Sequence, residues 1–353
     1  MIFRCDYMFA VGARLGLEAQ VIAGTPTYAQ YRSLSCLSRN KCFQAIILRY
    51  SVTTLRQYVK YATKFFKFCA KNCYQTLPVV QCVLELFLIQ CRDSGVHKTS
   101  FSCFVSSVNF VRTIYGYEGE YSKTFSNIVN YLEKFSVVNR FNRIGFRKDK
   151  LLCLWNCIIS AGGLKSLSKC ELRTFVFINF CYYTMCRFNC VSKIRTEHLL
   201  FETDYVKILI PNSKTDQSSE GQFVYLPMLS EFCPVKLLCN YMYMYNMESL
   251  ESPFLFPPLH WEKDLKIWKP VKNKPVSYTV CLKAFKSLLH KFNMSSSKLS
   301  LHSFRVGATT DAFEAGMPAH IIDRRGRWKN PNTKYLYVKC SDVDLVQTVR
   351  KRT

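Results

Sequence analysis

From Ser51 onward, apolar residues fall at helical spacing. Leu55, Tyr58, Val59, Tyr61, Ala62, Phe65, Phe66 and Phe68 make one stripe, with Arg56, Lys60, Lys64 and Lys67 on the other side. Segments of the same kind are expected around 78–92, 97–115 and 122–136. Four short helices with basic faces predict a compact all-α domain over residues 46–138. Residues 1–45 lack sustained periodicity and carry Gly24-Thr25-Pro26-Thr27, so they read as an N-terminal arm, a tail or partly ordered. The run Asn139-Arg140-Phe141-Asn142-Arg143-Ile144-Gly145-Phe146-Arg147-Lys148 is basic and breaks the apolar pattern. It reads as an interdomain linker, 139–148.

A second domain is expected over 149–353. Helical patterns recur around 149–161, 168–185 and 188–195. Val206-Lys207-Ile208-Leu209-Ile210 and Gln222-Phe223-Val224-Tyr225-Leu226 predict two strands joined by a polar turn from Asn212 to Gly221. Helices resume near 234–246, 278–292, 302–315 and 318–324. The fold class is therefore mainly α with a small β-sheet.

Charge changes this picture most. Lysine and arginine number 49 against 24 aspartates and glutamates, a formal charge of +25 in 353 residues, and 49% of residues are hydrophobic. That excess in a globular chain points to nucleic acid or an anionic membrane surface. No apolar run approaches the roughly 18–20 residues needed to span a bilayer, and the start Met1-Ile2-Phe3-Arg4-Cys5-Asp6 lacks a signal-peptide layout. Membrane attachment is not expected. The 18 cysteines are mostly spaced i,i+4 or wider, as in Cys69/Cys73, Cys153/Cys157 and Cys186/Cys190, with no C-x-x-C pair. They read as small buried hydrophobes and reduced thiols of an intracellular protein, not as metal ligands.

The candidate chemistry lies near the C-terminus. His302 and Arg305, within Leu301-His302-Ser303-Phe304-Arg305-Val306-Gly307-Ala308, share one face of a helical turn and can reach one anionic group. Gly326-Arg327-Trp328 and Tyr337-Val338-Lys339 follow. Upstream stand Tyr183-Thr184-Met185-Cys186-Arg187-Phe188-Asn189-Cys190 and, in the turn between the strands, Asn212-Ser213-Lys214-Thr215-Asp216. In these residues the chain resembles the tyrosine recombinase (phage integrase) family, most closely Cre-like members and the recombinases of Crypton and DIRS-type mobile elements. Arg187 matches the family's first arginine, Lys214 its β-hairpin lysine, and His302 with Arg305 its H-x-x-R. Trp328 matches the His/Trp position and Tyr337 the nucleophile, at the nine-residue interval of Cre-like members. The resemblance covers 180–340, close to half of the chain.

The resemblance implies an all-α core-binding domain, a mixed α/β catalytic domain, and a homotetramer on double-stranded DNA in the nucleus. It also implies roles. Arg187 and Arg305 would clamp the non-bridging phosphate oxygens, because guanidinium stays charged and donates in a fork. Tyr337 would attack as nucleophile and form a 3′-phosphotyrosine, with Lys214 as general acid for the departing 5′-oxygen. His302 would hold a phosphate oxygen or assist proton transfer, and Trp328 would donate its indole N–H. The bond energy stays in the protein link, so neither cofactor nor metal is expected. Tyr335 is a rival nucleophile: in a strand it would share a face with Tyr337, in a helix it would point away.

Two positions depart from the family pattern. Cys190 stands where an acidic residue is usual, and Met185-Cys186 replaces Gly-Leu before the first arginine. The apolar residues Val343, Leu345, Val346 and Val349 of the tail are expected to dock on a neighbouring protomer. Two alternatives remain open at the level of sequence: a domesticated DNA-binding protein that no longer cuts, and a type IB topoisomerase.

Overall fold

In the computed structural model, residues 49–114, 119–135, 144–211, 221–245, 252–263, 267–271, 273–328 and 330–338 are described. The expected arm at 1–45, the lysine turn with Lys214 and the apolar tail beyond 338 lie outside them. Contacts divide the chain into two compact units, Met1–Arg140 and Phe141–Thr353.

The described residues of the first unit are mainly helical. Its helices are α1 (Val52–Lys71), α2 (Gln81–Asp93), α3 (Thr99–Ile114) and α4 (Lys123–Phe135). Ser51 caps α1 by accepting from the Thr54 amide at 3.1 Å. Leu55, Ala62, Phe65, Phe66 and Cys69 bury the apolar stripe of that helix, while Arg56, Lys60, Lys64 and Lys67 are exposed. The core is aromatic, with Phe87 packed edge-on to Phe104 at 4.9 Å and against Phe65 at 5.4 Å. Helices α2, α3 and α4 begin and end within three residues of the expected 78–92, 97–115 and 122–136.

The second unit is built around α6 (Lys169–Thr184), which follows α5 (Lys148–Ser160). Every residue of α6 from Leu172 to Thr184 is buried. A helix apolar on all sides has to lie at the centre of its domain. Its start is closed by a capping box between Ser168 and Glu171. Short α7 (Phe188–Val191) follows at once, then β1 (Leu199–Phe201), β2 (Tyr205–Ile210) and β3 (Gln222–Pro227). These pair antiparallel in the order β1-β2-β3. Val206, Ile208, Ile210, Val224 and Leu226 face the core, and Tyr205, Phe223 and Tyr225 face outward, the alternation that a half-buried sheet requires. Helix α8 (Pro234–Tyr245), hairpin β4 (Leu259–Glu262) with β5 (Ile267–Pro270), then α9 (Tyr278–Lys291), α10 (Ser303–Glu314), α11 (Ala319–Gly326) and a 3-10 turn, Pro331–Leu336, follow among the described residues.

Sequence periodicity missed β1 and the β4–β5 hairpin. Both are short, and their residues pair across the chain instead of repeating along it. The helix expected over 188–195 is one turn, because Val191 and Ile194 turn inward and the chain leaves for the sheet.

Residues 144–148, read as linker, are packed into the second unit. Phe146 is buried against Phe285 and Phe304, and its amide donates to the Ser303 carbonyl at 2.8 Å. Arg147 Nε pairs with Asp311 at 2.6 Å, and its guanidinium also meets Glu314. The Asp311 carboxylate accepts from the Lys148 amide at 2.8 Å and from the Tyr182 hydroxyl at 2.5 Å. One acid thus ties the entry strand, α6 and α10 together. Burial and the proximity of Asp311 push the Tyr182 hydroxyl pKa up, so it remains a donor.

Among the described residues every cysteine is unpaired, no group of three metal-ligating side chains occurs, and no helix is long and apolar enough to cross a membrane.

The entry strand runs so close to α10 that a Cβ on Gly307 would sit 2.1 Å from the Phe146 carbonyl oxygen. Gly307→Ala should therefore destabilise the second unit by about 1–3 kcal/mol. Urea unfolding would show this as a lower midpoint at unchanged slope. An unmoved midpoint would mean that the strand can step aside without cost.

Candidate active site

Three segments meet at one guanidinium. Arg305 lies in the first turn of α10 and is 0% exposed. Its Nη1 donates to the Met185 carbonyl at 2.5 Å and its Nη2 to the Gly326 carbonyl at 2.5 Å. The charge lies 4.3 Å from the Trp328 ring and 5.3 Å from the Tyr337 ring. His302, at the N-cap of the same helix, puts its ring 5.1 Å from that of Tyr337. Trp328 and Tyr337 pack at 5.3 Å. His302, Arg305, Trp328 and Tyr337 are thus gathered at the N-terminal end of α10.

Local backbone explains how each side chain gets there. Helix α6 is ended by Met185 in the left-handed conformation, φ 52°, at the place where the family pattern has glycine. That turn sends Arg187 to the N-cap of α7, half-buried. A bulky residue is tolerated there, at about 1–2 kcal/mol, because the Met185 side chain is buried in the core. Helix α11 ends likewise on Arg327, φ 54°, ψ 49°. Gly326 lets the chain fold back so tightly that its missing Cβ would lie 2.0 Å from the Trp328 ring.

The two tyrosines separate in the 3-10 turn. Tyr335 is 57% exposed, with Phe313 as its ring neighbour at 5.8 Å, whereas Tyr337 is half-buried among Arg305, His302 and Trp328. Thr310 Oγ1 shares its one proton between the Val306 carbonyl at 2.9 Å and the Tyr337 carbonyl at 3.2 Å, and the Tyr337 amide donates to the Lys334 carbonyl at 2.9 Å. Lys334 pins the same turn through Asp323 at 2.5 Å, with its side chain 4% exposed. Of the six residues singled out from sequence, the structure brings Arg187, His302, Arg305, Trp328 and Tyr337 into one region. Lys214 lies outside the described residues. Residues that sequence reading missed are Arg327, Thr310 and the Lys334–Asp323 pair. Arg327 lay inside the quoted Gly326-Arg327-Trp328 motif, but its adjacency to Arg305 depends on the fold.

Electrostatically the site is one-sided. Among the described residues no carboxylate pairs with Arg187, Arg305 or Arg327. Burial, then the like charges of Arg187 and Arg327, pull the Arg305 pKa down to about 10, with Tyr337 opposing; it is still a cation at neutral pH. Four buried N–H donors find no acceptor: Arg305 Nε, Arg327 Nε and Nη1, and Trp328 Nε1. Unmet buried donors are costly and uncommon in native structures. A cluster made only of donors is complementary to an anion. A cavity of about 660 Å³ opens beside Arg327 and Trp328, lined also by Thr184, Tyr225, Arg324 and Asp323.

Residues 161–342, just over half of the chain, match the phage integrase family. The chain belongs to that family, the tyrosine recombinases. No curated protein matches it by sequence. Among solved structures, the chain is similar to XerH site-specific recombinase bound to palindromic difH substrate in a post-cleavage complex. The identity is 13%, the alignment covers 90% of this chain and 85% of that one, and the TM-score is 0.61. It is similar also to a lambda integrase dimer bound to a COC′ core site, at 12% identity, 87% and 96% coverage and TM-score 0.55. A lambda integrase tetramer bound to a Holliday junction matches at 11% identity, 90% and 81% coverage and TM-score 0.52. These likenesses carry the fold: mostly helical, with small antiparallel sheets.

An anion that fills the donor cluster should stabilise the protein. Millimolar sulfate should raise the Tm by about 3 °C or more, beyond the effect of sodium chloride at equal ionic strength. In Arg305→Met that increment should disappear. Equal increments in the two proteins would show that the cations are satisfied internally.

Proposed function

We propose that this recombinase cleaves and rejoins double-stranded DNA through a 3′-phosphotyrosine at Tyr337. The observation that carries the reading is the set of unpaired donors from Arg305, Arg327 and Trp328 beside the Tyr337 ring. In the step, the Tyr337 oxygen forms a bond to phosphorus, the bond from phosphorus to the 5′-oxygen breaks, and the 5′-oxygen leaves as a hydroxyl. Arg187 and Arg305 hold the two non-bridging oxygens, where negative charge builds in the transition state. Their field also favours loss of the phenolic proton, which free tyrosine releases only near pH 10. Lys214 supplies the proton to the leaving 5′-oxygen. His302 holds a phosphate oxygen or moves the Tyr337 proton, and Trp328 donates its indole N–H. One ester is exchanged for another, so the reaction draws on no external energy source.

The +25 charge and the exposed Arg56, Lys60, Lys64 and Lys67 of α1 support duplex binding through phosphates by the helical unit. We further propose a homotetramer on DNA, with the tail around Val343–Val349 docking on a neighbouring protomer. We assign the chain to a mobile element working in a nucleus. These readings rest on motif resemblance. A second reading, a protein that binds DNA without cutting it, draws on Cys190 in place of the acidic residue.

A denaturing-gel assay separates them. Nicked duplexes from the flanks of the element or gene that encodes the chain should trap a covalent adduct with wild type and with Tyr335→Phe. Tyr337→Phe should give none, and Arg305→Lys should lose at least about 10²-fold in rate. Salt-sensitive binding without any adduct would leave the non-cutting reading. Relaxation of plasmids lacking those flanks would point to topoisomerase-type strand passage.

A further inference from the structure

Arg327 contributes unpaired donors to the site but has no assigned step in the chemistry above, and its surroundings are unusual for a structural arginine. It holds a left-handed backbone conformation, φ 54° and ψ 49°, where glycine would be unstrained. Its side chain lies between contacts of Arg305: the preceding carbonyl, Gly326, accepts from Arg305, and the following ring, Trp328, stacks on it. The residue is 9% exposed. Its guanidinium meets two weak acceptors, Cys186 Sγ at 3.3 Å from Nη2 and the Cys190 thiol. Nε and Nη1 are buried with no acceptor at all. Burial by itself would lower its pKa, but the neighbouring Cys186 and Cys190 sulfurs raise it, so it remains a cation. Burial keeps the Cys186 thiol itself protonated at neutral pH. The protein therefore buries this charge beside the neutral Cys186 thiol and leaves two donors unpaired. Asp323, the carboxylate on the same cavity wall, is engaged by Lys334 through Oδ2, its Oδ1 is buried without a partner, and it makes no ion pair with Arg327.

We infer that Arg327 is a further phosphate-binding residue of this site, donating through Nε and Nη1 to the phosphodiester that Tyr337 attacks. The inference rests on the proposed cleavage chemistry. A guanidinium without a carboxylate, with two free donors at a cavity shared with Trp328, fits an anion of the phosphodiester class. Its place next to Arg305 makes it a third cation for the charge that develops on the oxygens. The thiols at positions 186 and 190 leave that cation available, whereas an acidic residue there would neutralise it.

The test compares wild type, Arg327→Gly and Arg327→Lys on the nicked duplex. Glycine is the cleanest probe, since it relieves the backbone and removes only the side chain. In Arg327→Gly, adduct formation should slow by about 10²-fold, while duplex affinity stays within about threefold and Tm holds or rises. Arg327→Lys should recover part of the rate. On a duplex carrying a neutral methylphosphonate at the cleaved position, the gap between wild type and Arg327→Gly should close to less than about tenfold, because the charge that Arg327 meets is gone. An unchanged rate in Arg327→Gly would overturn the inference and leave the reading of Tyr337 standing. A variant that melts lower and loses binding and cleavage together would show a structural tie to the turn at 185–186, and would also overturn it. Failure of wild type to form any adduct would overturn the cleavage reading, and the inference with it.

Discussion

A guanidinium held out of water with no carboxylate beside it is the constraint on which this catalytic unit turns. Removing a charge from water without a partner costs several kcal/mol in real proteins. Arg305 offsets part of that with two carbonyl acceptors and two aromatic faces. Those four contacts come from three places in the chain: the turn after α6, the end of α11 and the 3-10 turn. A correctly placed Arg305 therefore requires all three segments to be in register. The residual cost is expressed as unmet donors on Arg305, Arg327 and Trp328.

Backbone geometry serves the same end. Met185 and Arg327 both take left-handed conformations without being glycine, and both lie within one residue of an Arg305 acceptor. Strain of this kind survives only where surrounding packing over-determines it. Here the packing is the buried flank of α6 on one side and the Gly326–Trp328 fold-back on the other. Where glycine does occur, at 307 and 326, the reason is space: one admits the entry strand and the other admits the indole.

Helix α10 is the mechanical link. Its N-terminal turn carries His302 and Arg305, and its far half carries Asp311, to which Arg147, the Lys148 amide and Tyr182 all bind. The chain entering the second unit is thus fastened to the same helix that carries His302 and Arg305. Thr310, on the intervening turn, holds the backbone of Tyr337. Placement of the tyrosine, the arginine and the entering strand is therefore correlated through one rigid element.

Helix positions, the strand pair and the basic face of α1 were legible in the sequence, through 3.6-residue periodicity and an alternation of two. The candidates Arg187, His302, Arg305, Trp328 and Tyr337 were named on motif resemblance, and the fold brings them into one region. Spacing is a local property, and local chain geometry suffices to read it. Residues that act through distant partners were not legible. Phe146 and Arg147 looked like linker because their partners, Ser303 and Asp311, lie more than 150 positions away. Arg327 was one more base beside a tryptophan until folding set it against Cys186 and left it without a carboxylate. Tyr335 and Tyr337 are equivalent in composition, and the 3-10 turn with its Lys334–Asp323 anchor decides which one faces Arg305. The sequence by itself determined which groups are available and how the helices carry them. Only the tertiary structure decided which cations are left unneutralised, because charge balance in a buried site is a sum over segments that meet only when the chain has folded.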